Sequence, residues 1–186
     1  MIIFQYTCLN IYFKLFVPFE YVCLYEIVFK YFADMKTRVT FEYLLKGTCS
    51  EISRYFSDFH LFGKHHPYMV EVTDLGTDMQ SNELYRVHES LKLWNIIPMK
   101  PCYDVKVIIL EPSKHIQYKS EVSKGVFLTI DYTFLEDTTT STVKVVEAMD
   151  LTGYPVINTI FIGLLKKSRR LLIESIQKEL TKKHAV

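Results

Sequence analysis

VFLTIDYTFLEDTTTSTVKVVEAMDLTGYPVINTIFIGLLKKSRRLLIESIQKELTKK, residues 126–183, holds the decisive change of period in this chain. Up to Asp150 the apolar residues fall on every second position: Leu128, Ile130, Tyr132 and Phe134, then Val143, Val145 and Met149. Alternation of that kind marks strands with one buried side. From Tyr154 to Lys183 the spacing becomes helical, with Ile157, Ile160, Phe161, Leu164, Leu165, Leu171, Leu172, Ile176 and Leu180 along one stripe and Pro155 near the first turn. Two strands joined by "EDTTTS" therefore lead into one long terminal helix. Lys166, Lys167, Arg169, Arg170, Lys178, Lys182 and Lys183 are expected mainly off the stripe, as a solvated basic face suited to the helix C-terminus.

Working back from there, the same alternation marks strands at Tyr68–Leu75, Glu83–Leu93, Tyr103–Glu111, His115–Val122, Val126–Glu136 and Thr139–Asp150. Turn-rich connections such as "GTDMQSN", "EPSK" and "SKG" make these six an antiparallel meander. Before them stands another strand, Arg38–Leu45, with Val39, Phe41, Tyr43 and Leu45 on one side. In "TCSEISRYFSDFHLFGKHHP", Thr48 or Ser50 can cap a short helix, and Ile52, Tyr55, Phe56 and Phe59 recur at helical spacing. A second short helix is closed by Gly63 and Pro67. An α+β fold follows, in which the long helix covers the apolar side of the sheet.

The 186 residues carry 22 Lys and Arg against 21 Asp and Glu, a net charge of +1, so no overall field favours nucleic acid. Cys8, Cys23, Cys49 and Cys102 show neither C-x-x-C spacing nor neighbouring histidines. Reduced thiols and a cytoplasmic setting fit, and no metal site or other cofactor is expected. Residues 1–34 differ from the rest, with eleven aromatic residues, no glycine, and Lys14, Pro18, Glu20 and Glu26 interrupting any apolar run. A spanning helix requires about 20 mainly apolar residues, so stable membrane insertion is not expected. A packed helix, an interfacial anchor or an upstream start codon would each explain the segment. The start codon is preferred, because Met35 stands directly before the first patterned strand. The domain is then residues 35–186.

The order of elements, together with "FGKHHPYMVEV", "YRVHESLKLW" and "GYPVINTIFIGLLKKSRRLLIESIQKEL", resembles the SRPBCC superfamily, the START-like helix-grip proteins that include polyketide cyclase and lipid-transport families. The resemblance covers roughly residues 36–183. It implies a seven-stranded curved antiparallel sheet wrapped around the long C-terminal helix, with two short helices between strands 1 and 2. It also implies an apolar cavity that holds a hydrophobic small molecule such as a lipid, polyketide or aromatic compound. No catalytic signature is shared across the superfamily, and fold alone does not choose between carriage and chemistry. A monomer or a homodimer would serve either role.

Strand parity nominates the inward side chains independently. They are Tyr85, Val87, Glu89 and Leu91; Val105, Val107 and Ile109; Ile116, Tyr118, Ser120 and Val122; Leu128, Ile130, Tyr132 and Phe134; and Val143, Val145, Glu147 and Met149. Glu89 and Glu147 stand out, since a carboxylate removed from water must be paired or protonated. Either they orient a ligand with Tyr118, Ser120 and Tyr132, or they lie near strand ends and reach water or a cation such as Arg86. His66, beside His65 and Pro67, is expected at the cavity rim, with His88 outward. Trp94, in the proline-punctuated "LKLWNIIPMKP", is expected over the mouth or at the core edge. Leu128, Ile130, Val145, Phe161 and Leu165 complete the candidate apolar lining. The same carboxylates and tyrosines would serve the alternative reading, an acid–base cyclase, dehydratase or isomerase acting on an apolar carbonyl compound. No nucleophile elbow, P-loop, dinucleotide fingerprint or H-E-x-x-H motif occurs.

Overall fold

A computed structural model describes residues 35–93, 96–137, 139–153 and 155–184. The N-terminal segment 1–34 and Trp94, both singled out above, lie outside the described residues. The chain runs β1 (Met35–Lys46), α1 (Cys49–Ser57), α2 (Phe59–His65), β2 (Met69–Thr77), β3 (Glu83–Glu89), β4 (Leu91–Leu93), β5 (Ile97–Met99), β6 (Cys102–Glu111), β7 (His115–Ser123), β8 (Val126–Asp137), β9 (Thr142–Gly153) and α3 (Pro155–His184). Seven strands form one antiparallel sheet in the order β1-β9-β8-β7-β6-β3-β2, and β4 pairs with β5 in a separate ribbon. Because β1 joins β9 across the ends of the meander, first and last strands are neighbours and the long helix returns over their shared face. This is the helix-grip architecture.

Local chemistry sets the element boundaries. The Thr48 side chain accepts a hydrogen bond from the Glu51 amide at 3.2 Å and starts α1. Asp58 ends α1 and begins α2, its carboxylate accepting from the Leu61 amide at 3.0 Å. A Cβ at Gly63 would stand 2.6 Å from Val72 Cγ2, so α2 lies on β2 only because this position has no side chain. Register shifts interrupt the pairing at Asp74/Gly76, Ile109/Glu111 and Glu121/Ser123.

Parity correctly assigns the inner face along β7, β8 and β9, where Ile116, Tyr118, Leu128, Ile130, Tyr132, Phe134, Val143, Val145, Glu147 and Met149 are all buried. Three expectations need correction. The strand expected over Glu83–Leu93 ends at Glu89, because the Ser90 amide turns to the Tyr68 carbonyl at 2.8 Å and the chain leaves the sheet. Leu91 belongs to the separate ribbon. Ile109 faces the inner side opposite Ile116, yet it is 48% exposed, since β3 stops at the Glu83–Val107 pair and does not extend beside it. Arg169, expected on the solvated face of the helix, is buried.

Under α1 and α2 the interior is filled with rings. Phe56 packs on Tyr132 and Phe134 at centroid distances of 4.8 and 5.3 Å, and Phe59 packs on Tyr85 and Tyr118 at 5.1 and 5.2 Å. Offset and edge-on contacts of this kind add about 0.5–1.5 kcal/mol per pair beyond the area they bury.

Candidate functional site

Two stretches of α3 meet the sheet differently. In the second half Leu172, Ile176 and Leu180 are 0% exposed, the spacing of a stripe pressed into the core. His65 ties α2 to the same half: its Nδ1 lies 2.9 Å from Ser175 Oγ and its Nε2 lies 3.0 Å from Glu179. In the first half Ile160, Phe161, Ile162, Leu164 and Leu165 are only half-buried, and among the described residues of that half no apolar side chain is fully covered. The helix is gripped at its far end and pinned near its start by buried Asn158, which donates to Thr37 Oγ1 at 3.2 Å, so the loose part is the stretch 160–165 between them.

Between that loose half and the β1–β9 edge lies an apolar cleft of about 10 Å³, lined by Thr37, Val39, Phe41, Met149, Leu151, Ile162 and Leu165. A space of that size accommodates about one water. Beside the first half of α3 the space is thus a narrow cleft, and a larger guest must push the half-buried helix residues aside; beside the second half an open groove of about 400 Å³, lined by residues including Leu44, Ile173, Gln177 and Thr181, faces solvent.

Next along β9 and α3 from the cleft-lining Met149 and Leu165 stands a buried ionic cluster. Glu147 is 0% exposed and faces α3 from the middle of β9, opposite Phe41 on β1 and Tyr132 on β8. Tyr132 donates to its Oε1 at 2.8 Å and Tyr43 to its Oε2 at 3.0 Å. Arg169, 4% exposed, brings Nε to 2.6 Å from Oε1. The Nε–H does not point along that line, so the contact is an ion pair without an aligned hydrogen bond, and Nη1 has no hydrogen-bond partner among the described residues. The guanidinium also lies 5.5 Å over the Phe62 ring. Burial opposes the Arg169 charge, but Glu147, helped by Tyr132 and Tyr43, outweighs it and holds the group above its ordinary range. Burial raises the Tyr132 and Tyr43 hydroxyls, so both remain donors.

A second polar group adjoins the first. Tyr103 donates to Glu89 Oε1 at 2.9 Å, and His66 Nδ1 lies 3.9 Å from the same oxygen. Burial raises the Glu89 carboxyl, partly offset by Tyr103 and Arg169. Burial, reinforced by Arg169, pushes His66 down to about 3, so its ring is neutral. Arg86, offered above as a partner for these carboxylates, is instead on the outer face with both its bonds on Asp104, at 2.8 and 3.1 Å.

The remaining candidates divide between core and cleft. Tyr118 donates to the Phe56 carbonyl, so its hydroxyl is committed, and its ring makes edge-on contacts with Phe59, Phe62 and Tyr132. Leu128, Ile130 and Val145 belong to the main core, and Ser120 is half-buried opposite Leu128. Phe161 and Leu165 flank the loose half of the helix. Arg169 and Tyr43 were missed as site residues, although both carry a positional signal: Tyr43 shares the inward parity of β1, and Arg169 sits four residues after Leu165 and three before Leu172.

Neither a family model nor a curated protein sequence matches this chain. Solved structures do match in shape. The Zhui aromatase/cyclase from Streptomyces sp. R1128 is similar over 78% of this chain and 93% of its own, with a TM-score of 0.63 and 10% identity. The fold is the helix-grip fold. A START superfamily protein from Mycobacterium smegmatis aligns over 76% of this chain and 97% of its own, with a TM-score of 0.59 at 9% identity. The di-domain aromatase/cyclase StfQ from the steffimycin biosynthetic pathway gives a TM-score of 0.66 at 9% identity, covering 84% of this chain and 54% of that longer one. At such identities the helix-grip likeness concerns the backbone. Among the described residues no helix is long and apolar enough to cross a membrane.

Proposed function

We propose that this protein binds a hydrophobic small molecule, with the apolar body between the β1–β9 edge and the first half of α3 and the polar end toward Arg169. One observation carries the reading: Leu172, Ile176 and Leu180 are fully covered while the apolar side chains from Ile160 to Leu165 are only half-buried, and the cleft beside that stretch is lined by Phe41, the register partner of Glu147 in the buried ion pair. Ligand pockets combine mostly apolar walls with a few placed polar groups, which is the composition found here. Helix-grip neighbours named as aromatase/cyclases and as a START protein agree with it. The free thiols of Cys49 and Cys102 suit a cytoplasmic carrier.

The experiment is a fluorescence titration with N-phenyl-1-naphthylamine, accompanied by native mass spectrometry of the purified protein for a copurifying apolar compound. Saturable one-to-one binding is expected, and a linear, non-saturating signal would refute the reading.

Tyr103 beside the burial-raised Glu89 supports a second reading, acid–base chemistry on a bound carbonyl compound. Glu147 is the poorer catalyst, because Tyr132, Tyr43 and Arg169 already occupy its oxygens. Turnover of an apolar carbonyl compound that Glu89→Gln abolishes while probe binding persists would establish this reading over simple carriage.

A further inference from the structure

We propose that the guest presents a neutral carbonyl oxygen, as in a ketone, ester or amide, to the Nη1 donor of Arg169. The inference rests on the reading of the site as an apolar ligand pocket and names the polar end of its ligand.

Three features lead to it. First, Arg169 is 4% exposed and its Nη1 lacks a partner among the described residues. Buried donors are nearly always satisfied, and an unpaired donor on a charged group is costly, so an acceptor belongs at this position. A water can serve there in the free protein, and a carbonyl oxygen takes over its hydrogen bond on binding.

Second, the residue that carries the donor follows the cleft's last lining residue on α3, Leu165, by one helical turn. Helical side chains lean toward the N-terminus of their helix, which carries the guanidinium over the preceding turn, the turn of Leu165. Leu165 lines the cleft. Across from it, Phe41 pairs with Glu147 in register, and Met149 is the next inward residue on β9; both also line the cleft.

Third, the charges in this interior select a neutral acceptor. Arg169 is already matched by Glu147 at 2.6 Å. The other titratable groups nearby are Glu89, Tyr103, Tyr43, Tyr118, Tyr132 and a neutral His66, none of which supplies a second cation. A ligand carboxylate would be an unmatched anion facing Glu147, and burying such a charge is heavily penalised. A carbonyl accepts the charge-assisted hydrogen bond and brings no charge.

The test compares three chains of equal length, 2-tridecanone, 1-tridecene and tridecanoate, as displacers of N-phenyl-1-naphthylamine from the full-length protein. 2-Tridecanone is expected to displace at a concentration about tenfold lower than 1-tridecene, the effect of one hydrogen bond to a charged donor. Tridecanoate is expected to be weaker than the ketone. In the charge-neutral double variant Glu147→Gln/Arg169→Met the ketone's advantage should shrink to less than about twofold while the probe still binds. Should that variant not fold, 13C-carbonyl-labelled 2-tridecanone bound to wild type supplies the answer, its resonance moving downfield when the oxygen accepts a hydrogen bond. Equal displacement by ketone and alkene, or an unshifted carbonyl resonance, would overturn the inference and leave the apolar pocket standing. Tightest binding by tridecanoate would replace the neutral acceptor with an anion. Failure of the probe itself to bind would remove the pocket and the inference together.

Discussion

Replacing Arg169 with methionine removes the cation facing Glu147 while keeping a linear apolar stem out to the position of Nε. Glu147 is 0% exposed and cannot reach water from the middle of β9. Breaking a buried ion pair from one side costs about 3–5 kcal/mol. Here Tyr132 and Tyr43 continue to donate at 2.8 and 3.0 Å, which places the loss near the lower end, about 3 kcal/mol. At about 2–4 °C per kcal/mol for a domain of this size, the melting temperature should fall by about 6–12 °C. Urea unfolding followed by circular dichroism gives the free energy directly. The double variant Glu147→Gln/Arg169→Met removes both charges and should recover to within about 1 kcal/mol of wild type, giving a coupling of at least about 2 kcal/mol in a double-mutant cycle. A loss below about 1 kcal/mol for Arg169→Met, or strictly additive effects of the two substitutions, would show that the pair is not the buried cluster described and would refute the reasoning.

Other consequences are more local. His66 has a folded-state value of about 3, below the ordinary 6.5, so the unfolded chain binds more protons between those limits and stability contributed by the neutral ring is lost as pH falls through that window. His66→Phe should flatten the decline between pH 6.5 and 5, and an unchanged slope would contradict the burial of that ring. Glu89 acts with the opposite sign: its carboxyl is raised, so the associated stability is lost as pH rises through its folded-state value. Glu89→Gln should lessen the loss as pH rises above the ordinary carboxylate value of 4.5, read by urea unfolding at a series of pH values, and an unchanged or steeper loss would count against it. Ile176→Ala, in the gripped half of α3, should cost about 2–5 kcal/mol, whereas Phe161→Ala should cost under about 1.5 kcal/mol and still weaken probe binding several-fold; similar stability losses for the two would remove the distinction between the halves.

Much of this fold was legible from spacing alone, since period-two alternation and a helical stripe report only which side of an element faces the core. Glu147 was therefore found by parity, and its mid-strand position excluded the solvent-reaching alternative once β9 was seen to run from Thr142 to Gly153. Arg169 was not found, because a basic residue in a run with Lys166, Lys167 and Arg170 reads as surface. Its place on the stripe, between Leu165 and Leu172, conflicts with that reading, and a buried carboxylate on the facing strand calls for such a cation. Joining the two would have located the pair. Ile109 failed for a different reason: parity fixes the face but not whether anything covers it, and cover at the end of β6 depends on where β3 stops. Which half of the helix is seated tightly was also beyond the pattern, because apolar residues populate both halves and the filling of the interior by Phe56, Phe59 and Phe62 arises from α1 and α2.

The central claim, that the first half of α3 opens to admit an apolar guest, is tested most directly by hydrogen–deuterium exchange along the helix with and without saturating 2-tridecanone. The account predicts fast exchange at 159–168, slow exchange at 171–180, and ligand protection concentrated in the first stretch. Uniform slow exchange along the whole helix, unaltered by the ketone, would contradict it.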